Sequence, residues 1–274
     1  MSLFSSLRSL LPSMDWLLNA QTPTGPFPSS YDDVYQARAI LKTLNLPTEV
    51  VLEILDWANY WPYHEYQATG SRPMTAAARG GRSNAAAIIV ELPIYDNPIV
   101  RSIQRAGEKP KIRALEFRVS SHDQGWTSEN TRGTFATSSW TEVSILRDVT
   151  QSGNLPPPPS STPAWIGTPA DWSNVRPETA WKLVKRPESA LQGPQDGEGD
   201  LAWYLQGNRV ATEDQEYHIV WTERGYEGNE GAGTGEGLLK ELKEGDIILV
   251  WARAKWPGWQ CVVNSVKVTV HYGF

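Results

Sequence analysis

The chain has 274 residues, with 25 basic and 31 acidic side chains and a net charge of −6 at neutral pH. This acidic balance disfavours nucleic-acid binding, which requires a clustered excess of Lys and Arg. The length allows one large all-β domain or two ordinary domains, and 13 Trp with 22 Gly and 20 Pro favour a soluble, aromatic-rich, turn-rich β protein. Disorder throughout the chain is excluded.

Cysteine usage and the absence of signals favour an intracellular protein. Cys261 is the single cysteine, so no internal disulfide can form, and no Asn has the glycosylation spacing. No apolar run approaches the about 18 residues that a membrane helix needs. The sequence therefore predicts a cytoplasmic or nuclear location. Apolar residues spaced by threes and fours in the first 18 residues predict a short docking helix, or alternatively a targeting or membrane-surface element.

Two helices are predicted near the N-terminus. Ser30 and Asp33 fit a capping box, which starts a helix that should stop at Asn45. Pro47 and Glu49 are typical of the first turn of a second helix, because Pro fits that position and a carboxylate stabilises the helix dipole. The apolar residues of this second helix are too many for one narrow stripe, so we expect it to bury one side and to leave apolar area for another contact.

Beyond residue 87 the hydrophobic period changes to two, which indicates strands. Residues 67–87 are small and basic without a periodic apolar pattern, and they are predicted to be a linker or long loop. Residues 151–177 form a long connection that contains four prolines at 156–159. Eight strands are predicted, at 88–92, 112–119, 140–146, 181–184, 201–205, 217–221, 247–252 and 262–272.

The predicted fold is mainly β: an antiparallel β-sandwich of jelly-roll type, preceded by a small N-terminal helical segment. The strands are separated by loops instead of helices, which is typical of antiparallel sheets. We therefore predict three parts: residues 1–66 as a helical segment, 67–87 as the linker, and 88–274 as a β-sandwich recognition domain.

The stretch Leu46-Pro47-Thr48-Glu49, followed by an apolar helix that reaches Ile54-Leu55, resembles the start of an F-box. In that family this surface holds the SKP-type adaptor of a cullin ubiquitin ligase. The resemblance implies a ubiquitin-ligase adaptor function, with adaptor contacts at Leu46, Pro47, Val50, Leu52, Ile54 and Leu55. Only about fifteen residues match, and a well-started helix that packs within its own domain would show the same residues.

A second resemblance lies in the C-terminal half. The stretches 120–126, 245–254 and 257–259 look like sandwich domains of uncharacterised fungal proteins, and the closing stretch 264–268 is similar to the end of F-box-associated sugar-binding domains. Those domains share the galactose-binding-like jelly roll. The resemblance implies a recognition fold more strongly than it implies any particular ligand.

Aromatic and polar residues at predicted strand ends are the candidates for ligand binding. Trp256-Pro257-Gly258-Trp259 joins two strands, and indoles in such a turn either present platforms for sugar rings or cover the end of the sandwich. A second loop supplies a carboxylate, an amide, an imidazole and an indole. The candidate ligand-binding residues are His122, Asp123, Gln124, Trp126, Arg253, Trp256 and Trp259.

Other chemical signals are weak. The four histidines lack short ligand spacing, so no transition-metal site and no cofactor are predicted, although a calcium ion at Asp123 or Asp246 remains open. Residues 225–237 lack the Gly-Lys-Ser/Thr of a phosphate loop and carry three Glu, so they are predicted to be a flexible hairpin loop.

The sequence leaves three functions open. The first is a non-enzymatic recognition module, in which F-box-like helices bind an adaptor and the sandwich binds a protein or glycan-like ligand. The second is a free-standing cytosolic lectin-like carbohydrate-binding protein without a ubiquitin-ligase role. The third is a jelly-roll hydrolase, which needs two carboxylates at a defined separation, drawn from Glu116, Asp123, Glu142 and Asp246.

Overall fold

The computed structural model describes residues 30–68, 73–150, 166–175, 180–190, 192–193 and 199–274. The chain divides into two compact units, with the boundary between Trp61 and Pro62. The prediction for the first 18 residues and the proline run at 156–159 lie outside the described residues. Within the described ranges, no helix combines the length and the apolar character that crossing a membrane requires.

The N-terminal unit contains two helices, α1 (Tyr31–Lys42) and α2 (Thr48–Trp57). The predicted capping box is confirmed: Ser30 Oγ accepts a hydrogen bond from Asp33 N–H, and an Asp33 carboxylate oxygen accepts one from Ser30 N–H. Helix α2 begins directly after Pro47, its N-cap residue. Val34, Val51 and Leu55 are buried.

In its described residues, the C-terminal unit contains eleven strands in two antiparallel sheets. The first sheet has the order β1–β11–β4–β8–β9, with β2 also pairing with β11. Its strands are β1 (Tyr63–Ala68), β2 (Met74–Ala77), β4 (Lys111–His122), β8 (Gln215–Thr222), β9 (Gly225–Glu227) and β11 (Gln260–Gly273).

The second sheet has the order β3–β10–β5–β6, with β7 also pairing with β5. Its strands are β3 (Asn84–Leu92), β5 (Ser139–Asp148), β6 (Trp181–Leu183), β7 (Trp203–Gly207) and β10 (Ile247–Lys255). In the part of the chain that the structure describes, three short helices connect strands: α3 (Pro98–Arg105), α4 (Pro169–Val175) and α5 (Leu238–Glu241). The prediction of a mainly β antiparallel sandwich with a small helical N-terminal segment is confirmed.

Buried and exposed residues alternate along the strands of the first sheet, so one face of this sheet packs on the core. Leu115, Phe117 and Val119 of β4 are fully buried, and the ring of Phe117 meets that of Trp221 edge-on at 5.0 Å. In contrast, β10 is buried along almost its whole length. Both faces of the second sheet are covered, because Ile166 and Trp172 pack with Trp181 and Trp251 on its other side.

The region predicted as a linker differs from the structure. Residues 67–87 include the end of β1, all of β2 and the first residues of β3. The error arises because β2 and the start of β3 are rich in Ala, which has low intrinsic strand propensity, and here strand pairing and burial decide the conformation. The unit boundary accordingly falls after Trp61, five residues before the predicted end of the helical segment.

Candidate functional site

Four connecting segments converge at one end of the sandwich: residues 78–83, 123–138, 208–214 and 256–259. We call this region the loop end. Strand register brings them together, since His122 pairs with Val262, and Trp140 with Gly207. Backbone hydrogen bonds then join the segments directly: Gly258 N–H donates to Ala78 O at 3.0 Å, Lys255 N–H to Ser138 O at 2.9 Å and Gly133 N–H to Val210 O at 2.8 Å.

Asn208 is the polar centre beneath the loop end and is almost fully buried. Its Oδ1 accepts from Ser121 Oγ at 2.6 Å, and its Nδ2 donates to Ser139 Oγ at 2.7 Å and to His122 O at 3.1 Å. One side chain therefore joins β4 to β5 and fixes where the loops leave the sheets. Sequence analysis missed Asn208, because a single Asn after a strand gives no sign that it is buried.

Asp123 and His122 shape the first loop. Asp123 is fully buried; its Oδ1 accepts from Gly125 N–H and its Oδ2 from Ala211 N–H, each at 2.8 Å. Burial raises the pKa of this carboxyl, against the effect of those two hydrogen bonds. His122 Nδ1 donates to Asp123 O at 2.6 Å and its Nε2 lies 3.5 Å from Asp214. Both predicted ligand-binding residues are thus engaged in holding the loop.

Trp126 and Trp256 are the exposed aromatic residues of the loop end, with 59% and 50% of their surface accessible. Gln124 Nε2 donates to Trp126 O at 2.7 Å and so fixes the backbone under this indole. The Trp126 ring lies against the turn that carries Trp256, because a Cβ built on Gly258 would be 3.8 Å from Trp126 Cζ2. The structure therefore brings the two predicted loops together. We call Trp126, Trp256 and the Pro257–Gly258 turn the tryptophan surface.

The backbone at Trp256 is strained. Trp256 has φ 71°, and its N–H donates to Ser83 O while Lys255 Nζ lies 5.0 Å from its ring centroid. Among the described non-glycine residues with positive φ, two are Asn, which tolerates this region, and the other two are Trp256 and Ala211 of the loop end. Strain of this kind persists where surrounding structure holds a residue in place. Trp259, the third tryptophan among the candidates, is only partly exposed.

Arg253 lies apart from the tryptophan surface, which corrects its prediction as a ligand-binding residue. It is fully buried on the outer face of the second sheet and forms an ion pair with the equally buried Glu142. Its guanidinium lies over the Trp140 ring at 5.2 Å, and Trp140 Nε1 donates to Glu142 at 2.9 Å. Because β10 is buried along almost its whole length, its sequence pattern does not show that the Arg253 side chain is buried as well.

The four carboxylates proposed for hydrolysis each belong to a different network. Glu142 pairs with Arg253 and Asp123 accepts from backbone, as described above. Asp246 pairs with Arg147 at 2.7 Å, and Glu116 accepts from His218 and Arg118 at 2.9 and 3.0 Å. Among the described residues, no group of three or more His, Cys, Asp or Glu is placed to hold a metal ion.

Residues 230–234 line a cavity that no sequence motif predicts. The segment was predicted to be flexible, but it runs antiparallel to β7: Gly207 N–H donates to Gly231 O and Gly233 N–H to Leu205 O, both at 2.9 Å. A cavity of about 230 Å³ lies beside it. Its lining residues are Phe135, Gln192, Gly193, Tyr204, Glu230, Gly231, Ala232, Gly233 and Thr234. No short motif marks it, because its walls come from separate parts of the chain.

The residues predicted to contact the adaptor differ in their exposure to solvent. Val50 and Ile54 are exposed, as is Trp57 one turn later with 76% of its surface accessible. Pro47 is exposed, whereas Leu46 and Leu52 are intermediate. Leu55 is buried, so its side chain contributes to packing within the folded chain. The apolar area expected to remain on this helix is present.

Comparisons with known proteins find distant likenesses among solved structures. No protein-family model matches the sequence, and no curated protein is significantly similar to it. Similar solved structures include peanut lectin with the 9mer peptide PVIWSSATG, at 8% identity over 77% of this chain and 99% of the lectin, with a TM-score of 0.35. The potassium-bound carbohydrate recognition domain of Emp46p has 8% identity, coverage of 78% and 90%, and a TM-score of 0.31.

A seed lectin of Lotus tetragonolobus has 11% identity, coverage of 77% of this chain and 100% of the lectin, and a TM-score of 0.33.

Proposed function

We propose that the β-sandwich is a non-enzymatic carbohydrate-binding module that holds its ligand on the tryptophan surface. The observation that carries the proposal is the pair of half-exposed indoles, Trp126 and Trp256, at the Pro257–Gly258 turn. The C–H face of a sugar ring packs on an indole, and each indole can bury a large area. A large exposed apolar surface on a folded domain is otherwise costly and marks an interaction site.

Fixed backbone under both indoles supports the proposal. The Trp126 backbone is held by Gln124 and the Trp256 backbone by Ser83 and by the turn bond from Trp259 N–H to Trp256 O at 3.2 Å. A surface that is already ordered loses little conformational entropy when a ligand binds. Charged groups nearby, including Lys255 over the Trp256 ring, supply partners for sugar hydroxyls.

A glycan array followed by calorimetric titration of each hit tests the proposal. We expect Trp126→Ala and Trp256→Gly each to weaken binding at least tenfold, because each removes one stacking surface. Trp57→Ala is the matched control, since it removes an exposed indole in the other unit. The proposal is wrong if no glycan binds the wild-type chain, or if a bound glycan is unaffected by both loop-end variants.

A second proposed function is adaptor binding through α2, and the exposed stripe of Val50, Ile54 and Trp57 favours it. These residues are spaced by four and three, so they share one face of the helix. Titration with a recombinant SKP-type adaptor should show binding that Val50→Asp with Ile54→Asp abolishes. Because Leu55 is buried, a substitution there would unfold the helix region and could not separate binding from folding. Absence of binding by the wild-type chain refutes this function and leaves the carbohydrate proposal intact.

A further inference from the structure

We propose that the cavity beside residues 228–234 is a second binding site, separate from the tryptophan surface, for a small uncharged polyhydroxylated ring such as a single hexose. Its walls are one side of β7 at Tyr204, the segment from Glu230 to Thr234, and Gln192–Gly193 with Phe135. The following observations define its size, its rigidity and its chemistry.

The volume of the cavity matches a small ligand. Its volume is about 230 Å³, whereas sites for drug-sized molecules occupy about 300–1,000 Å³. One sugar ring matches a space of this volume.

The walls are fixed by close contacts between glycines and aromatic rings. A Cβ on Gly193 would overlap the Tyr204 ring, one on Gly231 would overlap the Phe135 ring, and one on Gly233 would overlap Tyr204 O. At each of these positions the backbone lies so close to its neighbour that a residue with a Cβ atom would not fit. Hydrogen bonds to β7, and Gly231 N–H donating to Asn229 Oδ1 at 2.7 Å, hold the segment in place. The site is preformed.

The polar groups of the lining favour hydroxyl ligands without negative charge. Glu230 is the charged lining residue, and among the described residues no salt bridge engages its carboxylate. Gln192 adds an amide and Thr234 a hydroxyl, so the cavity offers both donors and acceptors. Sugar hydroxyls donate and accept equally, and the aromatic edges match the apolar C–H surface of a ring. Phosphate would be repelled by Glu230.

Arg209 does not reverse this charge preference. Its guanidinium packs over the Phe135 ring at 5.0 Å from the centroid and is not itself part of the lining. It braces Phe135 from outside the cavity, while Gly231 approaches the same ring from the cavity wall.

The test uses the full chain labelled with ¹⁵N-glycine, titrated to millimolar concentrations with glucose, galactose and mannose and with the 6-phosphate of each. We expect at least one neutral hexose to shift the amide signals of Gly231 and Gly233, and its 6-phosphate to bind at least tenfold more weakly. Glu230→Gln should reduce the difference in affinity between the neutral hexose and its 6-phosphate. Glu227 is an exposed acid outside the lining, so Glu227→Gln should leave this difference unchanged. Gln192→Trp places a bulky side chain at an exposed lining position and should abolish the shifts.

Trp256→Gly separates this inference from the proposed function. The glycine shifts should persist in Trp256→Gly if the cavity is a site of its own. The inference is overturned if no hexose shifts Gly231 and Gly233, if the shifts disappear in Trp256→Gly, or if the 6-phosphates bind as well as the neutral sugars. Loss of glycan-array binding in Trp256→Gly with the hexose shifts retained would support both sites independently.

Discussion

The carboxylate of Asp123 accepts a hydrogen bond from the backbone N–H of Ala211 across 2.8 Å, and this bond joins two loops that are 88 residues apart in sequence. The other oxygen accepts from Gly125 N–H within its own loop. Asp123 therefore organises the loop end although it is fully buried and cannot meet a ligand directly. Ala211 has φ 54°, so the bond also holds a residue in a conformation that alanine disfavours.

Replacing Asp123 by Ala should destabilise the chain by about 1–3 kcal/mol, because the buried N–H of Ala211 and the partly buried N–H of Gly125 lose their acceptor. The measurement is the free energy of unfolding from urea titration. Asp214→Ala, at the exposed partner of His122 in the same loop end, is the control and should cost less than about 0.5 kcal/mol. An Asp123→Ala variant as stable as wild type would contradict the assigned structural role.

The buried ion pair of Glu142 and Arg253 should behave as a structural unit. Removing one partner leaves an uncompensated buried charge, so Glu142→Leu or Arg253→Met alone should cost about 3–5 kcal/mol. The double variant should cost clearly less than either single variant, since no charge is then left unpaired. A double-mutant cycle by urea unfolding measures the difference. Additive losses would mean that the two residues do not depend on each other.

Sequence periodicity was sufficient for most of the sandwich. Strands such as β4 and β11 alternate apolar and polar residues, because one face of the first sheet is buried and the other is not. The same rule failed for β2 and the start of β3, where Ala residues are buried by strand pairing and not by any pattern of their own. Strand β9 was missed because it is only three residues long and fully exposed.

The candidate site was predictable in part. Polar and aromatic residues at strand ends pointed to the loops around Trp126 and Trp256, and antiparallel register does bring these loops together. Burial decided the rest, because Asp123 and Arg253 have the residue types of a sugar site but are fully buried. The cavity at Tyr204 could not be predicted, because it depends on close approaches of Gly193 and Gly231 to aromatic rings and of Gly233 to the Tyr204 backbone.

Because the backbone at Trp256 is strained, a Gly variant at this position should be more stable than an Ala variant. Gly adopts φ near 71° without steric cost, so Trp256→Gly should be more stable than Trp256→Ala by about 1 kcal/mol. Thermal unfolding of the two variants measures this order. If both are equally stable, the backbone at this position is not strained; if both lose several kcal/mol, the indole is part of the core despite its exposure.

Glu116 lies on the outer face of the first sheet, and its ionisation should make the free energy of unfolding depend on pH. His271, followed by Arg118 and His218, lowers the pKa of Glu116 to about 2, against a partial increase from burial. Because the folded-state pKa lies below the unfolded value, the stabilisation is complete above about pH 4.5 and is lost as the pH falls towards 2. Glu116→Gln should therefore cost about 1–2 kcal/mol at pH 7, after allowance for solvent screening, and much less at pH 3.

Unfolding in urea at pH 7, 4.5 and 3 checks this dependence on Glu116. Glu65→Gln is the matched control on the same face, since Glu65 pairs with Lys267 but is far more exposed. Its effect should be less than about 0.5 kcal/mol at every pH. A Glu116→Gln cost that stays constant from pH 7 to pH 3 would contradict this prediction, because a contribution from the ionised carboxylate has to fall as the carboxylate is protonated.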